Sequence, residues 1–294
     1  VIVPRKIEIE GESEVYYADF LKDIYVRISG GLRESIKEAL KERYGSVKEA
    51  GRKLCFGAHQ LREGFSVRLC DLKMLVSDLG LDWDEIKKEI SEFSVQGGNR
   101  IKVKSAKVCE DVFYLLGLLS SDGYLGKRYE VVFVNKEKGL IEKFKEIYKS
   151  NFEGRKVSET EIEGVKRLMI SDPVLHSLAE GFSVKKDPKL VLRLDERFVG
   201  AFLRGFFDGD GYCGIIRHRC SDEPRIILSV TDKTLSKRLR AMLQRIGVAG
   251  FVSRRENRFD VIISGAEDIV RFCKVVGSRS EEKRKRMDEV LEFV

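Results

Sequence analysis

The sequence predicts an α+β protein in which two αββαββα units of the same order follow a small N-terminal helical domain. The first observation is a repeated stretch. Residues 114–124 and 202–212 each combine an apolar helix pattern with two small residues four positions apart and an Asp-Gly-Tyr end. The second is that alternating strand patterns and an amphipathic helix follow both copies in the same order. The third is a hydrophobic content of 43% over 294 residues, ample for the cores of roughly two or three modules.

The charge balance favours an anionic partner. The chain contains 55 Lys and Arg residues against 48 Asp and Glu, a net charge of +7. Such a balance is typical of proteins that bind nucleic acid, although charged residues at 35% could equally form an ion-paired surface.

The cysteines and the apolar segments predict a cytoplasmic protein with no membrane partner. No long apolar run and no signal-peptide pattern is present, so we expect the six cysteines to be reduced. Cys213, His218 and Cys220 lie close together. A fourth ligand is missing and the segment reads as a β-hairpin, so we reject a metal site there.

Residues 1–95 are predicted to form an extended arm and a helical module. Helix patterns cover residues 32–44, 47–54, 69–79 and 82–93, and the short turns between them are typical of a helix-turn-helix. The turn region carries side chains suited to phosphates or base edges: Arg52, Lys53, His59, Gln60, Arg62 and Arg68. The alternative is a generic helical bundle with solvated charges. The Gly-rich residues 94–99 are predicted to be a domain linker.

Residues 106–190 and 191–294 are predicted to be the two αββαββα units. The first has a helix at residues 110–121, strands at 124–128 and 130–135, a helix at 137–152, strands at 155–160 and 165–171, and a helix that begins at Asp172-Pro173. The second has a helix at 196–209, strands at 212–219 and 225–231, a helix at 232–246, strands at 250–255 and 258–264, and a helix at 266–276. A charged helix at 280–293 closes the chain.

Each repeated helix ends on an acid, Asp122 or Asp210, although a carboxylate there faces the negative end of the helix dipole. Two like units are expected to bury like faces about a pseudo-twofold axis. The natural interface is formed by the small residues Gly117, Ser121, Gly205 and Gly209. Packing these faces brings the two acids together, where they raise each other's pKa or hold a cation such as Mg²⁺. A metal ion in such a site suits phosphodiester hydrolysis.

Basic side chains follow the predicted strands of both units. They would line an exposed, curved surface that can enter a DNA groove and contact phosphates and base edges. The first unit offers Lys127, Arg128, Arg155, Lys166 and Arg167. The second offers Arg217, His218, Arg219, Arg225, Arg254, Arg255, Asn257 and Arg258.

The repeated stretches resemble the paired signature of the LAGLIDADG homing endonucleases. Against those letters the first copy keeps Leu115, Gly117, Leu118, Asp122 and Gly123, and the second keeps Leu203, Gly205, Asp208, Asp210 and Gly211. The resemblance covers about residues 106–294. It implies a monomer that is an internal pseudo-dimer with saddle-shaped antiparallel sheets, and that cuts both strands of a long duplex DNA site. It also implies two or three divalent ions, Mg²⁺ with Mn²⁺ as a substitute, held at Asp122 and Asp210 beside Gly123 and Gly211.

The resemblance further implies a catalytic lysine beyond the last helix of each unit, near the scissile phosphates. The candidates are Lys185, Lys186 and Lys189 in the first unit and Lys283 and Lys285 in the second. We favour Lys186 and Lys283, and a solvated charge run is the alternative for each. The family also has a polar strand residue near the metal ions. Ser229 fits in the second unit, whereas the matching position in the first is Phe133, so the two half-sites are predicted to be unequal.

The sequence thus predicts a site-specific, Mg²⁺-dependent double-strand DNA endonuclease, with the N-terminal module lengthening its footprint. A non-cleaving nucleic-acid binder on the same fold, an RNA intron maturase or a transcription regulator, is the alternative. Loss of either acid would favour that alternative. The family is also found inside inteins. Self-splicing needs an N-terminal Cys or Ser and a C-terminal His-Asn, which Val1 and Val294 do not provide. The chain is therefore expected to be at most the endonuclease portion of an intein.

Overall fold

The computed structural model describes residues 14–21, 23–96, 98, 100–153, 155–182, 194–217 and 222–294. Within these residues the protein is a mixed helix and strand structure with antiparallel sheets, as the sequence predicted. The described strands form one five-stranded and two four-stranded sheets. No helix in these ranges is long and apolar enough to cross a bilayer.

The first unit follows the predicted order of helices and strands. Its elements are the first motif helix Glu110–Asp122, the strands Gly123–Leu125 and Glu130–Asn135, the helix Lys138–Asn151, the strands Phe152–Glu153, Ser158–Ile162 and Val165–Ser171, and the helix Pro173–Gly181. The Glu163-Gly164 turn has positive φ at both residues, as a two-residue hairpin of type I′ requires. Asp172 starts the last helix, because its carboxylate accepts from the first free backbone N–H groups.

The second unit repeats this order. Its elements are the second motif helix Glu196–Asp210, the strands Gly211–Arg217 and Asp222–Val230, the helix Lys233–Arg245, the strands Phe251–Arg254 and Phe259–Ile263, and the helices Ala266–Val275 and Glu281–Phe293. We call the last of these the C-terminal helix. Asp232 and Ser280 cap their helices through side-chain oxygens. In both units the strand that follows the motif helix lies at one edge of its sheet.

The two motif helices pack against each other through their glycine faces. A Cβ atom built on Gly117 would lie 2.1 Å from the carbonyl oxygen of Phe202. One built on Gly205 would lie 2.1 Å from the carbonyl oxygen of Tyr114. These distances leave room for hydrogen alone, so the two backbones are in direct contact. Close approach of the helices is what sets the separation of their C-terminal ends.

The N-terminal part is not purely helical, because it contains the five-stranded sheet. In spatial order the strands are Val67–Arg68, Tyr25–Val26, Glu92–Ser94, Ile101–Val103 and Phe152–Glu153. The helices are Tyr17–Phe20, Gly30–Tyr44, Val47–Lys53, Leu69–Leu79 and Trp83–Ile86, with 3₁₀ turns at Ala58–Leu61 and Lys87–Glu89. The predicted helix over residues 82–93 was wrong beyond Glu89, since Phe93 and Ser94 pair with the strand Tyr25–Val26. The helix-turn-helix stays a prediction.

Residues 95–100, predicted to be a domain linker, instead connect two paired strands of this sheet. The sheet then continues into Phe152–Glu153 of the first unit. Aromatic rings join the same two parts of the chain, with centroid distances of 5.9 Å between Tyr17 and Phe152 and 4.8 Å between Phe20 and Phe182. The N-terminal part thus shares a sheet and a core with the first unit. Removing it would expose these rings.

Candidate active site at the ends of the two motif helices

Asp122 and Asp210 are the final residues of the two motif helices, and the structure brings these helix ends together. A Cβ atom built on Gly209 would lie 2.0 Å from Ser121 Oγ and 2.8 Å from Asp122 Oδ2. The Asp122 carboxylate is therefore seated against the end of the second motif helix. Asp122 is half-buried, and Asp210 is exposed. The small residues predicted as the interface are what permit this approach.

Burial raises the pKa of the Asp122 carboxyl to about 6, and the nearby Asp210 carboxylate acts in the same direction. A hydrogen bond from Asn135 and the charge of Lys283 act against this shift. Full ionisation of Asp122 at neutral pH therefore costs free energy. A bound cation would offset that cost, since it favours the ionised form of a carboxylate.

The donors at this site suit a hard divalent cation. Asp122 and Asp210 offer carboxylate oxygens, and Gly123 and Gly211 follow them as the first residues of their strands. Across the described ranges no group of three or more His, Cys, Asp or Glu side chains could hold a metal. A cation here would thus take its other ligands from backbone carbonyls, water or a phosphate. Mg²⁺ prefers such partly hydrated, all-oxygen sites.

Asn135 is a site residue that the sequence prediction missed. Its Nδ2 atom donates to Asp122 Oδ2 at 2.8 Å. Its Oδ1 atom accepts from the backbone N–H of Glu137 at 2.7 Å, which fixes the orientation of the amide. Asn135 therefore holds one oxygen of the Asp122 carboxylate in place.

The strand register corrects the predicted match between Ser229 and Phe133. Gly123 pairs with Phe133 in the first sheet, and Gly211 pairs with Leu228 in the second. Phe133 thus corresponds to Leu228. By the same register Asn135 corresponds to Val230, which has no polar side chain. The two halves of the site are unequal for a different reason than the one predicted.

Lys283, predicted to be catalytic, caps the second motif helix. Its Nζ atom donates to the carbonyl oxygens of Phe207, Asp208 and Gly209 at 2.6, 2.8 and 3.0 Å. These carbonyls lack partners within the helix. All three ammonium protons are used in this way. Burial lowers the pKa of Lys283, although the surrounding acids oppose the shift. The contacts give Lys283 a structural task directly behind Asp210.

Lys283→Met is expected to lower the free energy of unfolding by about 1–3 kcal/mol, because buried carbonyls lose their donor. Urea denaturation measures the change. Lys285→Met is the matched control, since Lys285 is 72% exposed and pairs only with the exposed Glu281. Its effect should stay within about 0.5 kcal/mol. If Lys283→Met kept full stability and lost only activity, Lys283 would be a catalytic residue rather than a cap.

Asp208 is a buried carboxylate that joins three segments. It accepts from the Tyr114 hydroxyl at 2.8 Å and from the Arg279 backbone N–H at 2.8 Å, and Ser278 Oγ also donates to it. Tyr114 belongs to the first motif helix, and Ser278 and Arg279 precede the C-terminal helix. Asp208 therefore ties both motif helices to the segment that carries Lys283.

The outer face of each four-stranded sheet, which we define as the face opposite the packed helices, carries part of the predicted DNA-binding set. Arg225 and Ser229 lie there, in alternation with buried residues of the same strand. Arg167 also lies there, with its guanidinium carbon 5.8 Å from the ring centre of Tyr124. The turns and strand ends carry Lys127, Arg128, Arg217, Arg255, Asn257 and Arg258.

Lys166 and Arg254 lie on the helix-packed side instead, contrary to the prediction. Lys166 pairs with Glu159 at 2.6 Å, and Glu159 also pairs with Lys145 of the adjacent helix at 2.8 Å. Arg254 aligns with Phe259 in the core-facing row. The cause is the two-residue alternation of a strand, in which a shift of one position changes the face. Arg155 is half-buried, and its charge acts on the buried Asp172.

The remaining predicted residues are exposed or lie outside the described ranges. Arg52, Lys53 and Arg62 are exposed in the N-terminal part. Cys213 is buried, and burial raises the pKa of its thiol to about 12. The residues outside the described ranges are Lys185, Lys186, Lys189, His218, Arg219 and Cys220.

Residues 197–277 match the family described as the LAGLIDADG-like domain. The matched segment contains Asp210 and both strand pairs of the second sheet. The second unit is therefore a LAGLIDADG-like domain.

The chain is also similar to segments of several longer proteins. One of the A-type ATP synthase proteins of Methanopyrus kandleri is 32% identical over 236 residues, which cover 79% of this chain and 23% of that protein. The glutamine–fructose-6-phosphate aminotransferase of Methanocaldococcus jannaschii is 24% identical over 98% of this chain and 27% of that protein. Elongation factor 2 of Methanopyrus kandleri is 25% identical over 99% of this chain and 23% of that protein. The chain thus spans about a quarter of the length of these relatives.

Solved structures resemble part of the chain. The homing endonuclease I-WcaI bound to its DNA recognition sequence has a TM-score of 0.47 at 17% identity, covering 60% of this chain and 85% of that one. Full-length DUF199/WhiA from Thermatoga maritima has a TM-score of 0.44 at 18% identity, covering 63% of this chain and 60% of that one. Neither likeness extends over the whole of this chain.

Proposed function

We propose that this protein is a site-specific, Mg²⁺-dependent homing endonuclease that hydrolyses phosphodiester bonds in both strands of duplex DNA. The observation that carries the proposal is the meeting of Asp122 and Asp210 at one end of two closely packed helices. Each acid comes from a different unit, and each is followed by a sheet with basic residues on its outer face or its turns. The LAGLIDADG-like match of the second unit supports the same function.

In this mechanism Asp122 and Asp210 hold the divalent cation. When bound, the cation supplies water activation and stabilisation of the leaving oxygen. Asn135 orients the Asp122 carboxylate through its donated hydrogen bond. Lys283 stabilises the helix end that carries Asp210. The outer faces of the two sheets bind phosphates and base edges, which positions both scissile bonds near the acid pair.

A randomised duplex library incubated with the protein and Mg²⁺ tests the proposal when the cut ends are sequenced. The expected result is one family of related sites, cut in both strands at a constant offset. An absence of cutting, or ends without a shared sequence, would contradict a site-specific endonuclease. Binding without cutting would favour the non-cleaving nucleic-acid binder. Duplex affinity should also fall steeply with added salt, because bound phosphates release counterions.

Asn135→Asp is expected to slow the cutting of one strand more than the other, because only the first half of the site uses Asn135. The variant keeps the side-chain size and the oxygen that accepts from Glu137, but it loses the donor to Asp122. A supercoiled plasmid with one target site should therefore accumulate nicked circles before linear product. Asn135→Ala should give the same order of products. Nicked and linear products in the wild-type ratio would remove Asn135 from the mechanism.

The relatives support a second part of the proposal, that this unit is carried inside unrelated host proteins. Their names describe different activities, yet each is several times longer than this chain and contains a segment similar to most of it. The shared segment is thus separate from the part that defines each named activity. An intein-borne endonuclease would have this distribution. The test is a duplex that carries a host coding sequence with the segment deleted. It should be cut, whereas the same sequence with the segment in place should stay intact.

A further inference from the structure

A buried acid lies on the outer face of the second sheet, where DNA is proposed to bind. Asp260 is 1% exposed, although it belongs to the outward row with Ser229. Ser229 Oγ donates to its Oδ1 atom at 2.8 Å. Two arginines from the adjoining turn pair with the same carboxylate, Arg255 at 3.4 Å and Arg258 at 3.2 Å. Together these four residues form a cluster that we call the Asp260 clamp.

The first sheet has the opposite charge at the corresponding position. Phe133 pairs with Leu168 as Leu228 pairs with Val261, and Phe133 and Leu228 are equivalent. The residue before each partner is Arg167 in the first sheet and Asp260 in the second. A carboxylate on a surface that meets a polyanion weakens binding by repulsion, and burying it costs further free energy. The clamp therefore requires a role other than attraction to phosphate.

The geometry of the clamp indicates that role. In both ion pairs the guanidinium atom nearest to Asp260 is Nε. The side chains of Arg255 and Arg258 are nevertheless 56% and 58% exposed. An arginine held at its Nε side keeps the terminal nitrogens on its outer side, and such a fork matches the O6 and N7 acceptors of guanine in the major groove. Fixing the fork before binding lowers the entropy cost of that contact.

We infer that the Asp260 clamp orients Arg255 and Arg258 to read guanines in the half of the DNA site bound by the second unit. Asp260 is a positioning residue in this arrangement, and the two arginines determine specificity. The inference rests on the proposed function, because it assigns part of the sequence preference of that endonuclease. It makes the two half-sites different in base readout, in addition to their difference at Asn135.

The test uses the target sequence recovered from the library and every single-base substitution of it. Binding of each duplex to the full-length protein is measured for wild type, Asp260→Asn, Arg255→Ala and Arg258→Ala. Wild type should lose about tenfold to a hundredfold in affinity when a contacted guanine is replaced. Each alanine variant should lose this preference at its own base pair. Asp260→Asn should weaken the preference at both base pairs together. Arg254→Ala is the matched control, since it removes the same charge one residue earlier on the opposite face, and its base preferences should parallel those of wild type.

A profile of Asp260→Asn that parallels wild type at every base pair would overturn the inference, as would an equal loss of affinity for all sequences. If Asp260→Asn does not fold, Arg255→Lys and Arg258→Lys carry the test. They keep the charge and lose the fork, so guanine preference should fall while overall binding is kept. Preference retained in both lysine variants would also overturn the inference. A wild-type protein that binds no duplex would overturn the proposed function itself, and the inference with it.

Discussion

Gly205→Ala is expected to destabilise the protein by about 3 kcal/mol or more, at the upper end of overpacking effects. The added Cβ atom would lie 2.1 Å from the carbonyl oxygen of Tyr114, and that oxygen belongs to a helix backbone that cannot rotate away. The two motif helices would have to separate, which would also move Asp210 away from Asp122. Urea denaturation with circular dichroism measures the loss. Gly205→Val is expected to leave too little stability for purification as a folded protein.

Gly139→Ala is the control for this substitution. Gly139 also lies in a helix, but a Cβ atom there would meet only Glu137 Oε1 at 3.7 Å, an ordinary contact. Its replacement should leave stability unchanged or raise it by up to about 1 kcal/mol, since alanine favours helix formation. If Gly205→Ala were as stable as Gly139→Ala, the backbone contact between the motif helices would not hold the units together.

Asp122→Asn and Asp210→Asn are each expected to reduce cleavage of the target duplex on the order of a thousandfold, because each removes half of the charge that holds the cation. The metal-free proteins should respond in the opposite direction. The pKa of Asp122 is raised to about 6, so the folded protein binds this proton more tightly than the unfolded chain. Stability from this group is therefore lost as pH rises from about 4 to 6. At pH 7.5 Asp122→Asn should raise the melting temperature measured in chelator.

The rate measurement uses single-turnover cutting of a labelled duplex at saturating protein. Duplex affinity measured without metal should change little in either variant, since the acids are not part of the basic faces. Cleavage at the wild-type rate by either variant would exclude the acid pair from the chemistry. A lower melting temperature of metal-free Asp122→Asn would show that the carboxylate stabilises the fold rather than straining it.

The repeat and its two acids could be predicted from the sequence because their signals are local and occur twice. Small residues four apart mark a helix face that needs close approach, and an acid at the wrong end of a helix requires a partner. Asp172, Asp232 and Ser280 also act as local start signals, and the structure has helices directly after each of them. The Glu163-Gly164 turn fixes its hairpin in the same way, because both residues adopt positive φ.

What could not be predicted depends on contacts between distant segments. The strands of the N-terminal sheet are two or three residues long, which is too short for an alternating pattern to be recognised. Lys166 was placed on the wrong face because strand parity depends on register, and register comes from pairing. Asn135 joins the site only through the pairing of Gly123 with Phe133. Lys283 becomes a helix cap only through the fold that returns the C-terminal helix to Phe207.

Isothermal titration of the metal-free protein with Mn²⁺ or Mg²⁺ at pH 7.5 tests most directly whether Asp122 and Asp210 form one shared site. Wild type should bind the cation with measurable heat and gain thermal stability. Asp122→Asn and Asp210→Asn should each abolish the tight binding, because neither carboxylate holds the ion alone. Half of the wild-type stoichiometry in each variant would mean two independent sites. No binding to wild type, or unchanged binding in both variants, would contradict the shared metal site.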